Sequence, residues 1–271
     1  MERNIILSTF LFYKERLMPE HLEFIKRSGF KAVEIFSYRA HFDWRDTSYV
    51  ALISGAFRKL GLRVHSFHAP WDPDVDYDIA ALNQKNREKT LTEIFFLIKL
   101  LSNLGGKYFV VHPGTILEAG RFTEEYIANS IGSLKIMIVY ARELGVEVLV
   151  ENPPPPELGS SVEIMRRIFN GLKDYRPSFC FDIGHAFISS DGIDGFLNID
   201  KSPLELHISD NHGEKDEHLL PGEANLNLKA TIEGLKKRFG DEFEKTTYNF
   251  EIGRNPGLER LVALRRLGES L

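Results

Sequence analysis

The sequence predicts an α/β chain of 271 residues closed into a single (β/α)8 TIM barrel over residues 1–271, and three observations predict it. A short β-rich apolar run followed by an amphipathic segment recurs eight times, and eight units of roughly 30 residues fill the ~250 residues of a closed barrel. Glycine stands just before several of the runs, where a helix ends and turns into the next strand. No Gly-x-Gly-x-x-Gly follows the first run, which weighs against a doubly wound open sheet.

Taken in order, the strands are expected at residues 4–9, 32–36, 63–67, 108–112, 147–151, 179–182, 204–208 and 247–251. Helical spacing between them is explicit in Leu91, Ile94, Ile98 and Leu101, and again in Ile127, Ile131, Leu134 and Ile138. Leu228, Ile232 and Leu235 form a third stripe and Leu258, Leu261 and Leu264 a fourth, each facing a sheet. Gly29, Gly61, Gly105 with Gly106, and Gly145 are the expected helix ends. Ser160-Ser161-Val162-Glu163 reads as a capping box opening the helix after the fifth strand. The proline run from Pro153 to Pro156 is too short to divide the chain into domains.

Composition removes several classes. With 43% hydrophobic and 27% charged residues and no apolar stretch near the ~20 residues of a membrane span, the chain reads as a globular protein with no membrane partner. The N-terminus carries only Ile5, Ile6 and Leu7 as an apolar run, short of a signal-peptide core, so a cytoplasmic location is expected. The single Cys180 cannot form an intramolecular disulfide and is expected to be a small core residue. Against 39 acidic side chains stand 34 basic ones, a net charge of −5 that does not advertise a polyanion partner.

The chemistry is expected where the strands end. His68, His112, Glu151, Asp182 with His185, His207 and Glu251 close six consecutive strands, on the face where barrel loops converge and active sites are built. Asp216 and His218 lie on the loop after the seventh strand and alternate so that both can point the same way. A lone histidine at a strand end is ordinarily a hydrogen-bonded structural residue, but carboxylates closing the runs into Glu151 and Glu251 would be buried charges that need a compensating cation or network. Nitrogen and oxygen donors without thiolate suit Zn²⁺, Mn²⁺, Fe²⁺ or Co²⁺. Trp44, Trp71 and Phe42, on the loops after the second and third strands, are candidates to stack on a sugar ring or a base. Arg39 and Lys215 are solvated loop charges that could neutralise an anionic group at the mouth; His65 is expected to face away and pack, and His21 and His41 have no evident partner.

Val111-His112-Pro113-Gly114, Glu151-Asn152-Pro153, Asp182-Ile183-Gly184-His185, His207-Ile208-Ser209-Asp210-Asn211, and the run from Asp216 through Leu220-Pro221-Gly222-Glu223 resemble the xylose-isomerase-like barrel superfamily. That superfamily holds both sugar isomerases and epimerases and the endonuclease IV type of abasic-site (AP) endonuclease. The resemblance to endonuclease IV implies nine zinc ligands, which fall on His68, His112, Glu151, Asp182, His185, His207, Asp216, His218 and Glu251. The resemblance to the isomerases and epimerases implies four, Glu151, Asp182, His207 and Glu251, around one divalent ion; one to three ions, zinc or manganese, cover both cases. By likeness to the ketose 3-epimerases, Glu151 and Glu251 exchange a proton with the substrate and His185 holds a substrate oxygen.

The loop Ala69-Pro70-Trp71-Asp72-Pro73-Asp74-Val75-Asp76 places three acids where DNA phosphates would approach, which works against nucleic acid. The phrases from Gly29 to Glu34 and from Leu220 to Glu223 resemble the isomerase side. The expectation is therefore a metal-dependent isomerase or epimerase of a small sugar or sugar phosphate, with the AP endonuclease, and nucleic acid as its partner, as the alternative. A non-catalytic binding protein is disfavoured because no ligand position is lost.

Overall fold

In the computed structural model, which describes residues 4–116 and 123–271, eight parallel strands hydrogen-bond in chain order and close on themselves. They are β1 (Ile5–Ser8), β2 (Ala32–Phe36), β3 (Arg63–His68), β4 (Tyr108–Val111), β5 (Glu147–Glu151), β6 (Ser178–Asp182), β7 (Glu205–Ile208) and β8 (Thr247–Phe250), with β8 paired back to β1. The helices outside them are α1 (Pro19–Arg27), α2 (Thr47–Leu60), α3 (Gln84–Asn103), α4 (Glu124–Glu143) and α5 (Val162–Gly171). Two short helices, α6 (Ile183–Ile188) and α7 (Gly192–Leu197), precede β7, and α8 (Leu228–Phe239) and α9 (Leu258–Ser270) complete the ring. No helix among the described residues is long and apolar enough to cross a membrane. Met1 to Arg3, part of the segment behind the cytoplasmic expectation, lie outside the described residues.

The helical stripes are where the spacing put them: Ile94, Ile98 and Leu101, Ile127, Leu134 and Ile138, Ile232 and Leu235, and Leu261 and Leu264 are buried against the barrel. Helix starts are held by side chains that accept an orphan backbone N–H: Asp46 from Tyr49, Asn83 from Asn86, Thr123 from Tyr126, and Ser161 from Ile164. The expected capping box is corrected to a simple cap. With Ser161 as the cap, the third helical residue is Ile164, and Glu163 falls one position early to reach back. Gly61, at φ 57°, ends α2 in a left-handed turn that an L side chain would strain.

Strand bounds differ from expectation by a residue at several ends, and one difference alters the interior. Between β2 and β3 the register passes from Val33 opposite Val64 to Glu34 opposite Ser66, leaving His65 as the extra residue of a β-bulge. Above the bulge, Ser66 and His68 share the inward face with Glu34 and Phe36. Inward positions elsewhere are Val110 on β4, Leu149 and Glu151 on β5, Cys180 and Asp182 on β6, Glu205 and His207 on β7, and Asn249 on β8. The barrel interior therefore carries charge down its axis as well as at its mouth.

Candidate metal centre

The nine residues singled out at the strand ends and on the seventh loop converge on one end of the barrel. Among the groups whose donor atoms all lie within 4.8 Å of one another, three together take in all nine: His68, His112 and Glu151; Glu151, Asp182, His207 and Glu251; and His185, Asp216 and His218. His68 with His207 and Glu251, and Glu151 with Cys180 and His207, meet the same limit. Glu151 joins the first two of these three groups and is fully buried, as are Asp182 and His207.

Each element aims its side chain by a local device. Asp182 ends β6 and caps α6: one carboxylate oxygen accepts the His185 N–H at 2.6 Å, which spaces the two residues one turn apart and leaves the other oxygen facing the centre. Asn152, directly after Glu151, exchanges two hydrogen bonds of 2.9 Å with the Asp182 backbone and ties β5 to β6 beneath the site. The loop after β7 is folded around the buried Asp210, whose carboxylate accepts from the backbone of Gly222, Ala224 and Leu226. Asp210 also forms a bridge with Leu219, and that bridge brings Asp216 and His218 over the mouth. His218 holds φ at 47°, an uncommon backbone for a non-glycine residue, secured by its carbonyl accepting from Gly253 at 2.8 Å.

The imidazoles show how they are to be used. His68 donates Nδ1–H to the Ala69 carbonyl, His185 to that of Asn152 and His218 to that of Glu251, while His112 Nδ1 lies 2.8 Å from the Glu157 carboxylate. Carbonyls and carboxylates accept, so each Nδ1 carries a proton and Nε2 is the nitrogen left for a cation to take in place of its own proton. Those Nε2 atoms meet carboxylates: His68 and His112 lie 3.2 and 3.5 Å from Glu151, and His185 and His218 lie 3.2 and 2.9 Å from Asp216. His207 is reversed, with Nδ1 at 3.2 Å from Glu151 and 3.1 Å from Glu251.

A cation fits this set. Both Glu151 oxygens, the second Asp182 oxygen, one Asp216 oxygen, His112 Nε2 and His207 Nδ1 are buried without a hydrogen bond, a cost of several kcal/mol unless a ligand takes up their lone pairs. The donors are imidazole and carboxylate, the set that holds zinc, manganese or cobalt. Mutual charge is already strong. Burial alone would raise Glu251, yet the His207 imidazole pulls its carboxyl down to about 2. Burial would lower His218, yet Asp216 lifts it to about 10, and His185 between Asp182 and Asp216 rises to about 9 against the same effect. Asp182, where burial prevails over the pull of His185, rises to about 6.

Above these groups opens a cavity of about 250 Å³. Phe10, Tyr13, Phe36 and Trp71 wall it, and His68, His112, His185, Asp216, His218 and Glu251 reach it from the metal groups. Pro154 and Glu157 complete the lining, and among the described residues no Lys or Arg takes part in it. Trp71 is thus at the mouth as expected, but Trp44 and Phe42 are not: both are buried in the core, Trp44 donating Nε1–H to Glu93 at 3.0 Å. Arg39 pairs with Asp43 instead, at 3.7 Å, and neither it nor Lys215 lines the cavity. His65 is not mere packing, because the bulge turns its Nε2 to 3.2 Å from the buried Glu205. His21 stacks on Phe12 with ring centroids 4.4 Å apart, and His41 is buried with Nδ1 at 2.6 Å from the Glu15 carbonyl.

Sequence reasoning assigned no role to Glu157, Asn152, Glu34 or Glu205, although Asn152 and Glu34 stand in phrases that carry the family resemblance. The first two stand beside named motif residues and were findable by asking what holds each imidazole. The last two sit inside strands buried on both faces, where no alternation marks which residues point inward.

Residues 22–245 match the family model described as Xylose isomerase-like TIM barrel. An uncharacterised protein of Methanocaldococcus jannaschii is 30% identical over 176 residues, 63% of this chain and 59% of that one. A probable endonuclease 4 of Aquifex aeolicus is 27% identical over 197 residues, 66% of each chain. The aligned region thus spans about three-fifths to two-thirds of the length of these relatives. Among solved structures, a D-tagatose 3-epimerase-like protein superposes with a TM-score of 0.80 at 24% identity, covering 98% of this chain and 96% of that one. The IolI protein with a bound zinc atom superposes at 0.77 and 19%, covering 97% and 95%. At these identities the likeness is one of fold.

Proposed function

The chain belongs to the xylose isomerase-like TIM barrel family, and from that premise we propose that it is a divalent-metal-dependent isomerase or epimerase acting on a small, uncharged polyhydroxy carbonyl compound of the sugar class. The observation that carries this reading is the cavity: about 250 Å³, walled by aromatic rings, floored by carboxylates and imidazoles, and lined by no Lys or Arg among the described residues. Aromatic faces suit the C–H faces of a sugar, whereas a phosphorylated sugar or a DNA backbone calls for Lys or Arg contacts. The half-buried Asp72 and the exposed Asp74 and Asp76 add negative charge to the loop after β3.

Glu151, Asp182, His207 and Glu251 would hold the cation, which when bound polarises a carbonyl and draws off the charge that develops as a neighbouring C–H proton leaves. Glu251 lines the cavity and Glu151 lies behind it, and in this reading the two carboxylates would take a proton from the substrate carbon and return one. His185, its Nδ1–H tied to the Asn152 carbonyl, directs Nε2 toward a substrate oxygen. The aromatic wall excludes water while the proton is in transit. Incubating the purified protein with Zn²⁺, Mn²⁺ or Co²⁺ and a panel of ketoses in deuterium oxide tests the reading: a carbon-bound proton is expected to wash out in at least one ketose. No exchange with any of them, together with incision of abasic-site DNA, would overturn it.

The second reading, an AP endonuclease, is favoured by a specific observation: three ligand groups, two of them joined through Glu151, exceed what a one-ion reaction uses, and multinuclear sites serve phosphodiester cleavage. Incision 5′ to the abasic site, abolished by chelator and steeply weakened by salt, is its expected signature.

A further inference from the structure

Beneath the ligand groups, two more carboxylates are buried in the barrel axis, and neither belongs to any of the three groups. Glu34 on β2 and Glu205 on β7 are fully buried, and both face Nε2 of His207, at 3.4 and 3.6 Å. Each is itself oriented by a further side chain. The Ser66 hydroxyl donates to the Glu34 oxygen nearest His207 at 3.1 Å, and the Asn249 amide donates to the Glu205 oxygen nearest His207 at 3.0 Å. The second Glu205 oxygen lies 3.2 Å from Nε2 of His65, whose Nδ1 faces the Asn4 amide at 3.3 Å. An amide nitrogen donates, so His65 Nδ1 accepts and its Nε2–H points at Glu205.

From this arrangement we propose that Glu34 and Glu205 are positioning residues that hold His207 in the Nε2–H tautomer and so present its Nδ1 lone pair to the metal. The proposal rests on the metal-dependent reading above. Glu151 and Glu251 face Nδ1 just as closely, so the choice is made when a cation stands between them and that nitrogen. Nε2 is then left to carry the proton, because a bare Nε2 lone pair between Glu34 and Glu205 is repulsive, whereas an Nε2–H is attracted to both. His207 is the one imidazole of the centre whose outer nitrogen faces no backbone carbonyl and no solvent-reachable carboxylate, so this buried pair replaces the devices that serve His68, His112, His185 and His218. Outer partners of this kind orient the ring and strengthen it as a donor, and losing one weakens metal binding about 10–100-fold. Gln retains the shape of Glu but supplies no negative charge, and it can turn its own N–H toward His207, which disfavours the required tautomer.

The experiment is a competition titration of the full chain with Zn²⁺ and with Co²⁺ against a chromophoric chelator, for wild type, Glu34→Gln, Glu205→Gln, the double variant, and Glu147→Gln at the exposed start of β5 as control. Expected is a weakening of about 10-fold or more in each single variant and more in the double, confined to one ion, while any ions at the other groups and the control stay within about threefold. Uniform loss at every site would mark a general structural defect and overturn the proposal, as would affinities unchanged in all variants while wild type binds tightly. A wild type that binds no ion sinks the metal-dependent reading itself. Should the variants fail to fold, nitrogen-15 NMR of the zinc-loaded wild type decides. A His207 Nε2–H proton shifted downfield and slow to exchange is expected, and a proton on Nδ1 overturns the proposal.

Discussion

The two halves of the barrel interior are built on opposite chemistry. On β4, β5 and β6 the mid-barrel inward residues are Val110, Leu149 and Cys180, a closed apolar cluster. On β2, β3, β7 and β8 they are Glu34, Ser66, Glu205, His207 and Asn249, equally buried and joined by hydrogen bonds and ion contacts. The first half is what a barrel needs in order to pack, since bulky apolar side chains fill its layers. The second is expensive, because each buried ion loses several kcal/mol of hydration that well-packed apolar residues would not lose. Such a half is explained by what it holds at the mouth. Fold and function thus divide the middle of the barrel between them, while the ligands at the mouth come from both sides, Glu151 and Asp182 from β5 and β6 and His207 and Glu251 from β7 and the end of β8.

The largest expected effect separates the mouth from the walls. Glu251→Gln removes a charge but little volume, so activity should fall at least about 100-fold in steady-state assays while the melting transition stays cooperative. Leu149→Ala, in the apolar half, should do the reverse: about 2–5 kcal/mol lost in urea denaturation, with the affinity for metal unchanged in the surviving native protein. If Leu149→Ala weakens metal binding as much as Glu205→Gln does, the division between the halves fails.

Acid sharpens the comparison further. Burial would raise the Glu205 carboxyl, but His65 and His207 pull it to about 2, below its ordinary value of 4.5. The folded state then binds this proton less readily than the unfolded chain, so the stabilisation is complete above pH 4.5 and drains away as the pH falls toward 2. In urea titrations across that window, Glu205→Gln should flatten the slope by roughly 3 kcal/mol, at about 1.4 kcal/mol per tenfold change in proton affinity. Leu149→Ala should lower the whole curve and leave its slope intact. The smallest effect is expected of His65→Gln, which keeps a donor for Glu205: about 1 kcal/mol of stability and no more than about a threefold change in kcat. A loss of activity rivalling that of Glu251→Gln would show that the lower end of the polar half takes part in the chemistry.

The barrel and all nine residues that meet at its mouth were legible in the sequence, because both are written in local terms. Each strand is a short apolar run, each crossover helix a stripe, and each ligand stands at or just past the end of a run, where a parallel barrel must bring it to the common face. What the tertiary structure alone decided is non-local. The His65 bulge arises from the pairing of β3 with β2, and it settles which residues of β3 face Glu34 and Glu205. The inward aim of Glu34, Glu205 and Asn249 is hidden in strands that are buried on both faces and show no alternation. Trp44 and Trp71 lie on loops of similar composition, yet one packs against α3 through Glu93 and the other stands at the cavity, a difference set by what each loop folds against. Sequence spacing tells which side chains share an end of the barrel; which oxygen faces which nitrogen depends on register and on the partners across the axis, and those exist only once the barrel has closed.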